Sequence, residues 1–398
     1  MIKFVRPKIL KYSIYPEFNG TLIPFYTNKH FPKKFRLKRF FILYGKSKYL
    51  RANHAHRKCS QIIIPLKGQI KIKIKSKNFS NSFSLNVKKR KALLIPPYNW
   101  ITIYFKENQD SLLTLCDYKY DKKEYISPYE LWDCSLEKNI NSISIEHEEI
   151  ISSDEGLIKW LELLHFKGIS IVKNAPTEKK SAFKVLNRIS HTRETFFNTP
   201  FEVINIPKPN NSAYTAHALR NHMDLPWFEL PPGYQFLHCL INASKGGDSS
   251  AIDGFAVADY LRKNEKEIFE TLVSVPLKFR DKDYTQDSHR SFHAPAISLT
   301  KDRDFHDIRF SVATMDALDC HPDVMDKIYK AHHRFGNLLH DDKFQINFRL
   351  EPGDIFSFNN RRVLHGRTAF DPSSGHRHLQ GYYMDRDEII GRLNFLKK

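Results

Sequence analysis

The stretch Ile70-Lys71-Ile72-Lys73-Ile74-Lys75 alternates apolar and charged residues without a break. Successive side chains of a strand point to opposite faces, so the pattern suits a strand with one buried and one wet face. On a helix it would scatter the isoleucines around every side. Gly68 just before it reads as a turn, and SQIIIPL and ALLIPPYNWITIYF are further apolar strands with proline at their ends. Residues 1–135 therefore read as many short strands with few helical patterns, the texture of a β-barrel or jelly roll. A chain of 398 residues exceeds one ordinary core, so a second domain is expected beyond it.

Charge divides the chain in the same way. Residues 1–132 hold 28 Lys+Arg against 7 Asp+Glu, while the remaining 266 hold 35 against 37, so the net charge of +19 belongs to the first third. Such a field is a solvated lysine-rich surface or draws in phosphorylated ligands such as a nucleotide sugar. The lysines lie dispersed along strands rather than clustered with aromatics on one helix, which argues against nucleic acid. No apolar run approaches the roughly 18 residues of a membrane span. The opening MIKFVRPKILKYSIYPEF has neither an apolar core segment nor a small-residue cleavage site, so no signal peptide is expected. Cys59, Cys116, Cys134, Cys239 and Cys320 are scattered and contain no CxxC pair, which points to reduced thiols in a cytoplasmic protein.

Residues 136–152 are polar and read as a linker to a domain over 153–398. That domain opens on a helix in which Leu157, Trp160, Leu161 and Leu164 fall at i, i+3, i+4 and i+7, with Ser152 or Ser153 as N-cap. Strands such as GISIVKN, YQFLHCL and DIFSFNN then alternate with helical segments such as FAVADYLRKNEKEIFETLV.

The chemistry is concentrated here. In NHMDLP, His222 and Asp224 stand two residues apart, and in an extended segment both project to one side. An HxD pair alone is a weak signal. RRVLHGR adds His365 after a strand-like segment, and GHRHLQGYY adds Arg377. Two histidines and a carboxylate on one face of a metal leave three coordination positions free, as a non-haem Fe(II) oxygenase requires. An arginine on a neighbouring strand suits bidentate binding of a carboxylate.

The segments NSAYT, NHMDLPW, PPGYQFLHCL, GGDSSAIDGF, EPGDIFSFNNRRVLHGR and RHLQGYYMD occur in the order of the γ-butyrobetaine/trimethyllysine hydroxylase branch of the TauD-like Fe(II)/2-oxoglutarate dioxygenases, which this half of the chain resembles. The resemblance implies a double-stranded β-helix with flanking helices. It also implies His222, Asp224 and His365 as iron ligands, Arg377 on the 2-oxoglutarate carboxylate, Ser249 near that cosubstrate, and hydroxylation of a C–H bond or oxidative demethylation. Phe197, Phe201, Tyr214 and Tyr383 match positions of an aromatic cage for a trimethylammonium group, and equally suit plain core. Where that branch carries an Asn pair in an F-N-N-A-T segment, this chain reads Phe310-Ser311-Val312-Ala313-Thr314, and the family's short zinc module is replaced by another domain.

That first domain, in KRFFILYGKSKYLRANHAHRKCSQIIIPLKGQIKIKI, NGTLIPF and DYKYDKKEYISPYELW, resembles the WxcM/FdtA-type cupins, ketoisomerases of dTDP-4-keto-6-deoxyglucose. The resemblance implies a cupin barrel with His54 and His56 beside the sugar, one of them shuttling a proton, and Arg51 towards the diphosphate or sugar. Ala52-Asn53 replaces the glycines usual before HAH, and Ile101 follows Trp100 where histidine is usual. An active isomerase, a retained binding module and a structural remnant are all compatible with these residues. The whole is read as a mainly β, homodimeric enzyme of small molecules without a nucleic-acid partner. Its place is in surface-polysaccharide or deoxysugar synthesis; the alternative is an oxygenase of a free methylated amine carrying a non-catalytic cupin.

Overall fold

The computed structural model describes residues 5–397 apart from 14, 19, 25, 27–30, 48–49, 77–78, 122–123, 127–138, 208, 210–211, 285–286 and 319. Cys134, the SPYELW segment, the ends of NGTLIPF and the first residues of the expected linker lie outside that set. The chain forms two compact units, Met1–Asp133 and Cys134–Leu396.

The first unit is built on two five-stranded antiparallel sheets. One orders Lys8–Lys11, Lys91–Ile95, Gln61–Lys67, Ser111–Cys116 and Arg39–Tyr44; the other orders Tyr125–Ile126, Leu50–His56, Trp100–Phe105, Gln69–Ser76 and Phe79–Asn86. Alternation places Ile70, Ile72 and Ile74 fully inside, where they meet Ile63, Leu93, Ile101, Ile103 and Leu112 from both sheets. The run ALLIPPYNWITIYF is two strands in different sheets. The change of sheet falls at Pro96-Pro97, where the missing N–H groups cannot extend a ladder.

The second unit has a major sheet ordered Ser144–Glu146, Ile169–Lys173, Ile355–Asn359, Tyr234–Asn242, Arg377–Met384 and Phe201–Ile204. A minor sheet is ordered Leu219–His222, Val363–Arg367, Ser249–Asp253 and Gln345–Phe348. This is the double-stranded β-helix arrangement, and the molecule as a whole is mainly β. Helix Asp154–Glu162 begins where Ser153 Oγ accepts from Gly156 N at 3.0 Å, and Leu157, Trp160, Leu161 and Leu164 are all buried against the major sheet. FAVADYLRKNEKEIFETLV forms two helices, Gly254–Asn264 and Lys266–Ser274, separated at Glu265.

The stretch 136–152 is not a linker throughout. From Ile140 onward it forms a 3-10 turn, the strand Ser144–Glu146 and the helix His147–Ser152, burying Ile143, Ile145 and Ile150. Its isoleucines are shared among three short elements, so no single period rises above the polar background.

Strand alternation decides what faces the space between the two sheets. On Tyr234–Asn242, Tyr234 and Phe236 pack under the helices, while Leu237 and Cys239 face inward. On Arg377–Met384, Tyr382 and Met384 pack under the helices and Leu379 faces inward. By the same parity Gln235, Arg377, Gly381 and Tyr383 point between the sheets. Gln235 and Tyr383 are direct cross-strand partners.

Candidate active site

His222 ends the strand Leu219–His222 and is paired directly with His365 on Val363–Arg367, their rings 4.5 Å apart. Asp224 follows two residues later. Its backbone is clamped by Asn360, which accepts from Asp224 N at 2.9 Å and donates to Asp224 O at 3.0 Å. The next residue, Leu225, holds φ +56, a left-handed conformation uncommon for a non-glycine residue and typical of residues held in place for a function.

His222 Nδ1 lies 2.8 Å from the Arg220 carbonyl, which can only accept, so the ring proton sits there. Nε2 is therefore the ring atom turned to Asp224 Oδ1 at 3.4 Å, where it donates as long as no cation lies between them, and His365 Nε2 is 3.9 Å from the same oxygen. The other oxygen, Oδ2, accepts from Gln235 Nε2 and from the Tyr383 hydroxyl, each at 2.7 Å. Three possible ligand atoms, all within 4.8 Å of one another, thus converge. Burial works against charge on Asp224 and His222. Their mutual hydrogen bond and attraction outweigh it, holding the carboxyl well below and the imidazole above the ordinary value. His365 is pushed down to about 3, first by burial and then by His222. Such a cluster calls for a cation between its donors, and two imidazoles with one carboxylate suit Fe(II) while leaving its far side open.

Beyond His365 the same strand carries Arg367, paired with Ser249 on the adjacent strand; Arg367 in turn lies close enough to Arg377 to feel its charge. Ser249 is buried. Arg377 is 8% exposed, its side chain makes no hydrogen bond or ion pair to any described residue, and its buried Nε has no partner. It lies over Phe370 at 5.6 Å, and a Cβ on Gly247 would come within 3.0 Å of its Nε. Burial pushes Arg377 down to about 10. A desolvated guanidinium without a counter-charge is costly, and the donor set suits a carboxylate brought by a ligand.

On the Asp224 side lies a cavity of about 310 Å³. Phe197, Phe201, Tyr214 and Tyr383 all line it, together with His222 and Asp224. Phe201 stacks on Tyr383 at 4.9 Å, and it lies directly over Gly381, where any Cβ would enter the Phe201 ring. The Tyr383 hydroxyl is committed to Asp224, so this residue contributes only its ring face to the wall.

In the first unit, His54 and His56 stand on one face of Leu50–His56, 4.8 Å apart, with Tyr125 against both at 4.7 and 4.8 Å. His54 Nδ1 donates to Ala52 O at 3.0 Å, and Gln61 Nε2 donates to His56 Nε2 at 3.1 Å. Burial lowers both imidazoles, His56 to about 3 with further push from His54 and Arg39, so both are neutral bases near pH 7. Ala52 and Asn53 adopt φ +68 and +52, and the register of Leu50–His56 against Trp100–Phe105 shifts there. Arg51 is solvent-exposed, and the guanidinium beside the imidazoles is that of Arg39.

Residues 135–383 match the family model of the taurine catabolism dioxygenase TauD, TfdA family. The chain belongs to the TauD family. Residues 6–136 match the FdtA model, described as WxcM-like, C-terminal, so the protein joins an FdtA-like cupin to a TauD dioxygenase domain. A γ-butyrobetaine dioxygenase of Pseudomonas sp. (strain AK-1) is 38% identical over 253 residues, 64% of this chain and 66% of that protein. The mitochondrial trimethyllysine dioxygenase of Rattus norvegicus is 29% identical over 283 residues, 70% and 66% of the two chains. The chain thus spans about two thirds of the length of these relatives. Among solved structures, the TDP-fucose-3,4-ketoisomerase WlaRA of Campylobacter jejuni is 30% identical over 32% of this chain and 92% of its own, with a TM-score of 0.29.

As a TauD-family enzyme the protein depends on Fe(II) and 2-oxoglutarate. Four residues around the TauD centre escape motif reading: Gln235, Asn360, Asn221 and Arg367. Asn221 donates to Leu339 O at 2.8 Å and to Gln345 Oε1 at 2.7 Å, and it accepts from Ser250 Oγ at 2.7 Å, anchoring the strand just before His222. Asn360 stands in the quoted EPGDIFSFNNRR segment and Arg367 in RRVLHGR. Gln235 carried no signal beyond inward parity on its strand.

Proposed function

We propose that the TauD domain hydroxylates a C–H bond of a small molecule bearing a methylated ammonium or another flat or apolar group, with Fe(II) held by His222, Asp224 and His365 and 2-oxoglutarate held by Arg377 beside Ser249. The observation that carries this reading is the convergence of three donors, two of which line an aromatic-walled cavity. When bound, the iron with 2-oxoglutarate and O2 supplies the oxidising power for hydroxylation, releasing succinate and CO2. The chain's own residues divide the remaining work. Gln235 and Tyr383 occupy one carboxylate oxygen of Asp224 and so aim the other. Arg220 fixes the tautomer of His222. Phe197, Phe201 and Tyr214 exclude water and present ring faces to a cation.

The cupin domain binds a nucleoside-diphosphate sugar, with neutral His54 or His56 moving a proton between carbons flanking a ketone and Arg39 rather than Arg51 supplying the nearby positive charge. The basic balance of residues 1–132 supports an anionic ligand there. The fused FdtA-like domain favours a second reading, a place in surface-polysaccharide or deoxysugar synthesis with the oxygenase acting on a related sugar. Succinate release from full-length protein, Fe(II) and 2-oxoglutarate separates the readings: stimulation by methylated amines supports the first, and stimulation by dTDP-sugars alone reverses it. dTDP is expected to raise the melting temperature, and His56→Ala to spare both that shift and 2-oxoglutarate turnover. An unmoved wild-type melting curve would dismiss the nucleotide.

The four described cysteines are free, in keeping with a cytoplasmic setting; fractionation of the native host places it. A homodimer is supported by the sheet-edge strand Arg39–Tyr44, where Phe40, Ile42 and Tyr44 are 65%, 48% and 69% exposed, an edge that proteins ordinarily cover. Ile42→Glu is then expected to give a monomer by light scattering, against a dimeric wild type.

A further inference from the structure

The cavity over the TauD centre is chemically lopsided. Apart from the aromatic wall, His222 and Asp224, its charged lining is two carboxylates, Glu202 and Asp281; no lysine or arginine side chain lines it among the described residues. The two carboxylates are not equivalent. Glu202 accepts from His378 and from Gln380 Nε2 at 3.0 Å, has Lys179 at 3.9 Å, and these contacts outweigh burial to keep its carboxyl below the ordinary value. Its charge is answered. Asp281 has one long contact, Oδ2 to Arg290 Nη1 at 3.4 Å, across the hairpin of Pro276–Asp283 and Ser288–Pro295. Arg290 is itself drawn 4.0 Å over Phe196, whose ring packs 4.2 Å from Phe197. Burial raises the Asp281 carboxyl against that weak pairing. Ser311 and Thr314 share the lining with Asp281, as does Trp227. Thr314 Oγ1 and Trp227 Nε1 are buried without a hydrogen-bond partner.

Resting on the TauD reading above, we propose that Asp281 is a specificity-determining residue that anchors the second end of the substrate. That end is a hydrogen-bond donor, a hydroxyl or a second ammonium, and not a carboxylate or a phosphate. A carboxylate would be brought beside Asp281, whose one guanidinium neighbour, Arg290, lies outside the described lining and is drawn over Phe196, and like charges in a partly desolvated site repel. A donor instead completes the coordination of Asp281, with Ser311 and Thr314 within the same wall to share it. The substrate class is therefore an amino alcohol, amino sugar or diamine rather than an amino acid betaine.

Three probes differing only at that end decide the matter: γ-butyrobetaine, 4-(trimethylammonio)butan-1-ol and 4-(trimethylammonio)butylamine. Their binding to the full chain is measured by titration calorimetry, without reliance on turnover. The alcohol and the amine are expected to bind at least tenfold more tightly than the betaine, the amine most tightly of all, with Asp281→Asn erasing the preference. Arg290→Met removes the competing guanidinium and is expected to tighten amine binding, a gain that misfolding cannot imitate. Equal or tighter binding of the betaine, no binding by any probe, or indifference of the amine to both substitutions overturns the proposal. Discriminating binding without succinate release would instead overturn the oxygenase reading and leave the role of Asp281 standing.

Discussion

Asp224→Ala is expected to abolish 2-oxoglutarate turnover, with a loss of more than about 1,000-fold, some 4 kcal/mol of transition-state stabilisation. The substitution deletes the only carboxylate among the three converging donors. It also strands Gln235 Nε2 and the Tyr383 hydroxyl, both of which donate to Asp224 Oδ2 at 2.7 Å. The iron content of protein purified with Fe(II) under argon should fall together with succinate release. The supporting donors give an internal scale, since Gln235→Leu and Tyr383→Phe leave the carboxylate in place and remove one hydrogen bond each. Losses of about 10- to 100-fold are expected for them. An Asp224→Ala protein that retains stoichiometric iron and turnover would remove the basis of the site.

Arg377→Met is expected to weaken 2-oxoglutarate binding by about 100-fold or more, as truncating one partner of a buried charge pair commonly does. The effect on the ligand-free protein should have the opposite sign. Arg377 is 8% exposed and has no ion-pair partner among the described residues, so without ligand it is a desolvation cost that methionine relieves. Thermal unfolding without 2-oxoglutarate should therefore show Arg377→Met at least as stable as wild type, and the wild type alone should gain stability on adding the keto acid. A structural arginine would behave in reverse, destabilising the apo protein on removal and leaving the affinity unchanged.

Much of the arrangement was legible beforehand because it follows from local rules. The Ile-Lys alternation at 70–75 could only be a half-buried strand, and the structure buries every one of those isoleucines. The spacing of His222 and Asp224, with His365 and Arg377 on later segments, pointed to one centre, and the strand register brings the first three together. What escaped reading depends on contacts between distant strands. Gln235 and Tyr383 share an oxygen because their strands pair in one particular register, which neither segment reveals alone. Tyr383 was therefore read only as a wall of the cage. Arg51 was read towards the sugar through the cupin resemblance; the positive charge the imidazoles feel is that of Arg39, which comes from a strand of the other sheet and so carries no signal in the HAH segment. The segment 136–152 looked solvated because its isoleucines serve three short elements instead of one face.

The order in which the centre's parts appear along the chain has a consequence for biosynthesis. A nascent polypeptide that has emerged past Asp224 owns one imidazole and one carboxylate, a pair too weak to retain a transition metal. The second imidazole leaves the ribosome more than a hundred residues later, and the buried guanidinium only after that, on the strand that pairs with Tyr234–Asn242. The three-donor set is therefore complete only once most of the strands that wall the chamber have been made, with Arg377–Met384 closing it last.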